Sequence, residues 1–113
     1  MYMLLTKNDC NYCNQFKTFL KFSSVGKKNA DKVSILNRDT LEDSEQEKTY
    51  EEYFEAAITQ GASSFPILLD ENKKLLMTGF DSSKAIKILG GVKWLGYFLK
   101  NIFVQFVETR KEN

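Results

Sequence analysis

Cys10 and Cys13 are the only cysteines in this 113-residue chain, and two residues separate them. A pair at this spacing performs thiol–disulfide chemistry when the first sulfur sits at a helix N-terminus. There the unpaired backbone N–H groups and the positive end of the helix dipole favour a thiolate over a thiol. Such cysteines titrate at roughly 3.5–7.5 instead of about 8.5, so much of the sulfur is nucleophilic near neutral pH. The second cysteine, one turn in, can attack a mixed disulfide formed at the first. Three other readings of the pair stay open at this point: two small buried hydrophobes, half of a zinc site, and a structural disulfide. Zinc is the weakest, because four ligands are the norm and the chain has no histidine and no third cysteine. A structural disulfide would close too short a loop to constrain the unfolded chain much.

The neighbouring stretches predict how the pair is positioned. Residues 1–6 form an apolar run without alternation, which reads as a central strand. A helix is predicted over 11–23, with Cys13, Phe16, Phe19 and Leu20 recurring on its inner face and Lys17 and Lys21 outside. Val25-Gly26-Lys27-Lys28-Asn29 reads as a break, and residues 32–36 as a second strand. An amphipathic helix follows over 46–60, with Tyr50, Tyr53, Phe54, Ala57 and Ile58 inward, supported by Leu41. Residues 65–69, opening with the chain's only proline, and 74–78 read as a hairpin around the turn 70–73. Asp81 or Ser82 then caps a helix to about Leu89. Gly90-Gly91 interrupts it before a further helical run. The order β-α-β-α-β-β-α-α implies a mixed four-stranded sheet, its first two strands parallel through a crossover.

Composition narrows the class. One domain spans 1–113, long enough for a core. Its 42% apolar and 27% charged residues suit a soluble globular fold. A net charge of +1 gives no bulk argument for nucleic acid. Charge is nevertheless uneven: residues 39–55 carry eight acids against Lys48 alone, leaving seven acids and fifteen bases elsewhere. The segment 39–60 therefore reads as an acidic helical insert. The first apolar run is too short for a secretory signal, no transmembrane segment stands out, and a reducing cytoplasmic setting is expected.

Three motifs and the order of elements resemble those of glutaredoxins, within the thioredoxin-like fold. Thr6-Lys7-Asn8-Asp9-Cys10-Asn11-Tyr12-Cys13 is similar to the family's Thr-Lys-x-x-Cys-Pro-Tyr-Cys. Ser64-Phe65-Pro66 resembles its Thr-Val-Pro, and Thr78-Gly79-Phe80-Asp81-Ser82 its Gly-Gly-x-Asp type of turn. The order of elements is the fourth likeness; together they cover about residues 1–37 and 60–90. The resemblance implies a glutathione-dependent thiol–disulfide oxidoreductase with Cys10 as an exposed nucleophile and Cys13 as the resolving thiol. It implies that Lys7 stabilises the Cys10 thiolate and attracts the glycine carboxylate of glutathione, and that Tyr12 lies beside the bound sulfur. A cis Pro66 would present the Phe65 backbone to the cysteinyl amide, and Asp81 and Ser82 would receive the γ-glutamyl end. Read alone, Lys7 is a solvated lysine, Tyr12 a half-exposed aromatic and Asp81 an N-cap. No bound cofactor or metal is implied; glutathione is a co-substrate, and the partners are disulfide-containing proteins such as a thiol-dependent reductase.

Departures from that pattern carry expectations of their own. Asn11 stands in the usual proline position, and Asp9 puts a carboxylate beside the nucleophile, where it opposes thiolate formation if close. Phe65 is larger than the usual valine. Residues 92–110 read as an extra C-terminal amphipathic helix, with Trp94, Leu95, Phe98, Leu99, Ile102 and Phe103 on its apolar stripe. Two rival functions remain: a thioredoxin-like electron donor served by a flavoprotein reductase, and a non-catalytic binding module whose cysteines are inert or hold a metal cluster between two chains.

Overall fold

In the computed structural model, residues 1–90 are described. They form an α/β domain whose first strand, β1 (Tyr2–Thr6), is central, as its burial pattern demands: Leu4, Leu5 and Thr6 are all enclosed. On one side β1 pairs in parallel with β2 (Val33–Asn37), Leu4 opposite Ile35. On the other it pairs antiparallel with β3 (Ile67–Asp70), Leu4 opposite Leu68 and Leu5 opposite Ile67. β4 (Leu75–Thr78) continues the sheet antiparallel to β3, giving the order β2-β1-β3-β4. The turn between β3 and β4 is held by Asp70, whose Oδ1 accepts from the backbone N–H groups of Asn72 and Lys74.

Alternation along β1 sends its side chains to two cores. Tyr2 and Leu4 pack with Phe16, Phe19 and Leu20 of α1 (Asn11–Phe22) and with Ala85 and Leu89 of α4 (Ser82–Leu89). Met3 and Leu5 pack on the opposite face with Tyr50 and Ala57 of α3 (Ser44–Thr59). Helices thus cover both faces of the sheet. Each fully buried Leu or Phe contributes roughly 1.5–3 kcal/mol relative to exposure, so the two clusters supply most of the force that holds β1 between them. Phe80 adds an aromatic bridge, its ring centroid 5.1 Å from that of Phe16 and 5.7 Å from that of Phe19.

Several boundaries differ from expectation for identifiable reasons. The stretch read as a break is a helix, α2 (Ser24–Asn29), followed by a short 3-10 turn, Ala30–Lys32. Ser23 ends α1 in an extended conformation and starts α2, its Oγ accepting from Gly26 N–H. Gly26 is there for clearance and not as a breaker: a Cβ on it would collide with the backbone carbonyl of Phe19. Phe65 and Pro66 precede β3 instead of opening it, because Pro66 has no N–H for the ladder. Ile58 is 50% exposed, on the outer side of α3. The α3 acids Glu45, Glu47, Glu51, Glu52 and Glu55 face solvent as expected. The C-terminal helix expected at 92–110 lies outside the described residues. Among the described residues no helix is long and apolar enough to cross a membrane.

Gly26→Ala should lower stability by about 1–3 kcal/mol, the cost of forcing two packed backbones apart. Denaturant unfolding checks this through a reduced midpoint at unchanged slope.

Candidate functional site

The chain crosses from β1 into α1 in four residues, and the turn is made by Asp9 at φ 52°, a left-handed conformation that aspartate tolerates better than bulkier residues. This reversal leaves Cys10 as the N-cap of α1, extended at φ −125° and ψ 105°. Its Sγ accepts a hydrogen bond from Cys13 N–H at 3.1 Å, in the role that a serine or aspartate oxygen plays at other helices. Cys10 and Cys13 are joined as a disulfide with their Cα atoms 5.2 Å apart. Cys10 is 7% exposed and Cys13 wholly buried. The expectation of an exposed Cys10 is corrected to that extent: its sulfur is turned onto the helix end and bonded to Cys13, so only its edge reaches solvent. It is still the more accessible of the two.

The loop that carries the cysteines is tied to the end of the neighbouring parallel strand. Asn8 N–H donates to Asp39 Oδ2 at 2.8 Å, and Asn37 Nδ2 donates to Asn8 Oδ1 at 3.0 Å. Arg38 N–H donates to the Thr6 carbonyl at 2.9 Å. The Asn8 N–H holds the Asp39 carboxyl below its ordinary value; desolvation opposes this, and the Arg38 side chain, 3.3 Å away, and the Lys7 charge add to it.

A second loop reaches the same end of the sheet from β3. The register that sets Leu5 opposite Ile67 brings Pro66, one residue earlier, to the level where β1 ends. The Phe65–Pro66 peptide is cis, as the glutaredoxin resemblance implied. Thr78 in β4 organises this loop: its Oγ1 accepts from Ser63 and Ser64 N–H at 3.2 and 3.0 Å and donates to the Ser64 carbonyl at 2.9 Å. Gly79, at φ 77°, turns its N–H onto the Pro66 carbonyl at 2.8 Å. Neither the N–H nor the carbonyl of Phe65 has a hydrogen-bond partner among the described residues.

The Phe65 ring joins the two loops. Lys7 Nζ lies 5.8 Å and Arg38 Cζ 5.5 Å from its centroid, both within cation–π range. Behind it, Phe54 is nearly parallel at 6.1 Å, and Tyr50 is stacked on Phe54 at 5.5 Å. The larger residue in the valine position is therefore the outer end of an aromatic stack rising from the α3 core.

The structure thus gathers Lys7, Cys10, Tyr12, Cys13, Phe65 and Pro66 at one end of the sheet, with Tyr12 54% exposed. Asp81 is the N-cap of α4, its Oδ1 accepting from Lys84 N–H at 3.2 Å. Ser82 lies farther round, where it shares a groove of about 500 Å3 with Asn11, Asn14, Gln15, Thr18 and Phe80. A separate hollow of about 550 Å3, lined by Tyr2, Val25, Lys28 and Lys32 among others, lies between α2 and α4 at the opposite end of β1. No cluster of three or more metal-ligating side chains occurs among the described residues.

Sequence reading missed Arg38, Asp39 and Thr78 as parts of the site. A signal existed for the first two: they follow directly on the second parallel strand, and the carboxyl ends of parallel strands are where sites form. The chain matches no protein family, no curated protein and no solved structure. What the site does must be argued from its geometry.

A carboxyl whose folded pKa lies below its unfolded value stabilises the fold above the unfolded pKa, and that contribution is lost as pH falls through the folded one. For Asp39 the window lies below about pH 4. Asp39→Asn should remove this part of the acid limb, seen as a shallower loss of thermal midpoint below pH 4 than in the unaltered protein.

Proposed function

We propose that this protein is a glutathione-dependent thiol–disulfide oxidoreductase of dithiol glutaredoxin type, built on a thioredoxin-like fold. The observation that carries this reading is the Cys10 sulfur: it caps α1, receives a backbone N–H, is bonded to Cys13 and is the more accessible of the pair. Support for the fold comes from the sheet order, with one parallel and two antiparallel pairings, and from the cis proline loop beside the disulfide end of β1.

The chemistry follows from charge placement. In the dithiol form, the N–H groups of the first turn of α1 stabilise a thiolate on Cys10 and leave Cys13, shut away from water, as a thiol. The Cys10 thiolate attacks the glutathione sulfur of a mixed disulfide and forms an S–S bond to it, and the substrate sulfur departs as a thiolate that takes up a proton. A second glutathione thiolate then attacks the glutathione sulfur held on Cys10, releasing oxidised glutathione and regenerating the Cys10 thiolate. Alternatively Cys13 loses its proton and attacks Cys10, expelling glutathione and giving the intramolecular disulfide.

Glutathione carries two carboxylates and a peptide backbone, and the site offers a counterpart to each. Lys7 and Arg38 converge on Phe65 as a pair of cations for the glycine carboxylate. The free Phe65 N–H and carbonyl suit the cysteinyl amide by strand-like pairing. On this reading the start of α4, at Asp81 and Ser82, receives the γ-glutamyl end, its first-turn N–H groups suiting the carboxylate and Asp81 the ammonium. Tyr12 flanks the bound sulfur.

Cys10→Ser should abolish turnover in a glutathione-coupled disulfide reduction assay. Cys13→Ser should keep turnover of mixed glutathione disulfides and lose reactions that need both thiols; equal loss in both variants contradicts the roles. Activity only with a flavoprotein thioredoxin reductase would reverse the choice of electron donor. Visible absorbance from a metal cluster would favour a binding module. Replacing Lys7 and Arg38 together by glutamine should raise KM for a glutathione mixed disulfide by about ten- to hundredfold, the range expected for losing one charge-assisted contact of about 1.5–3 kcal/mol, with kcat much less affected. Initial-rate kinetics separate the two parameters.

A further inference from the structure

Among the described residues, one buried side-chain polar atom lacks a hydrogen-bond partner: the hydroxyl of Thr6. Thr6 is the last residue of β1 and wholly enclosed. Its backbone carbonyl accepts from Arg38 N–H, so the unmet group is the side chain alone. Orphaned buried hydroxyls are uncommon in native folds and call for an explanation.

The packing of α1 on β1 indicates what lies beside it. Alternation places Thr6 on the same face as Tyr2 and Leu4, which pack against α1. The helix runs back along the strand: Phe16 and Leu20 belong to the same cluster as Leu4 and Tyr2. One turn before Phe16 is Cys13, about 4.5 Å nearer the start of α1. Two residues beyond Leu4 is Thr6, about 6.6 Å farther along β1. Both steps lead toward the cysteine end, and both side chains are wholly buried there. In the disulfide form the Cys13 sulfur has no proton to donate, and its bond to Cys10 holds it where the Thr6 hydroxyl makes no hydrogen bond to it. Reduction gives it an S–H, or a lone pair with charge while it is a leaving group.

We propose that Thr6 is a positioning residue for the redox pair, its hydroxyl unpartnered in the disulfide and hydrogen-bonded to the Cys13 sulfur in the dithiol. This deepens the oxidoreductase reading and rests on it. Reduction by glutathione proceeds by attack of one glutathione thiolate on Cys10, with Cys13 leaving as a thiolate toward the Thr6 O–H and then taking the proton that glutathione gave up. A second glutathione thiolate attacks the glutathione sulfur now bonded to Cys10, so that oxidised glutathione departs and Cys10 is left as a thiolate. Two electrons pass from two glutathione thiols to the protein disulfide. Because the hydroxyl gains a partner only on the reduced side, it draws the equilibrium toward the dithiol.

The test is the equilibrium between disulfide and dithiol in glutathione buffers, read by thiol alkylation. Thr6→Val keeps the shape and removes the hydroxyl; it should shift the equilibrium toward disulfide about tenfold, equal to about 30 mV for a two-electron couple. Thr6→Ser should stay within twofold of the unaltered protein. The thermal midpoint of oxidised Thr6→Val should equal or exceed that of the unaltered oxidised protein, while the reduced form should melt lower, a divergence that a purely structural role would not produce. A Thr6→Val equilibrium within twofold, or an equal shift in Thr6→Ser, overturns the proposal; should valine prevent folding, Thr6→Ala in the same titration decides it. A pair that ignores glutathione but titrates in dithiothreitol overturns the glutathione reading alone, and the Thr6 comparison is then read in dithiothreitol.

Discussion

A helix that begins at the end of a strand has N–H groups in its first turn that no carbonyl of the helix can reach. In this protein one of those groups is satisfied by sulfur. Cys10 can accept from Cys13 N–H only if the chain reverses within four residues of β1, and that requirement shapes everything near it. Asp9 takes a left-handed conformation to make the turn. Asn8 is fastened to Asp39 and Asn37 so that the turn does not relax. Phe16 and Leu4 then fix the helix against the strand, so the sulfur stays at the end of the sheet while its partner Cys13 is enclosed.

The opposite wall of the site is built by different means. Where the first loop is tied by carboxylate and amide side chains, the second is tied by one hydroxyl, that of Thr78, and by the backbone of Gly79. These hold the Ser64 and Pro66 carbonyls, which leaves the Phe65 backbone unengaged. Phe65 is steadied from below by Phe54 and Tyr50 and capped by Lys7 and Arg38. Two loops separated by more than fifty residues meet because β1 and β3 are neighbours in the sheet. The acidic α3 takes part through its buried face; most of its acids remain in water.

Legibility varied with the range of the interaction concerned. Local signals read well: the apolar run of β1, the helical spacing of Cys13, Phe16, Phe19 and Leu20, the Asp70 turn and the Asp81 cap all correspond to elements found. Gly26 did not, since a glycine needed for close approach of two backbones looks in sequence like one that ends a helix. Ile58 failed for a related reason: periodicity gives an apolar face but not how much of its rim the sheet can cover. Arg38 and Asp39 were hidden at the border of an acidic stretch, where their charges read as bulk composition.

The linear order of residues determined which groups are on offer: two sulfurs one turn apart, the first at the start of a helix. It also determined the strand and helix sequence, because those periodicities are local properties of the chain. Tertiary structure decided what the sulfurs face. Strand pairing set the proline loop beside β1, the Phe65 ring drew Lys7 and Arg38 together, and the packing of α1 on β1 enclosed Thr6 without a partner. These are contacts between residues far apart in the chain, fixed by sheet register and by the burial of apolar faces, and no short pattern records them.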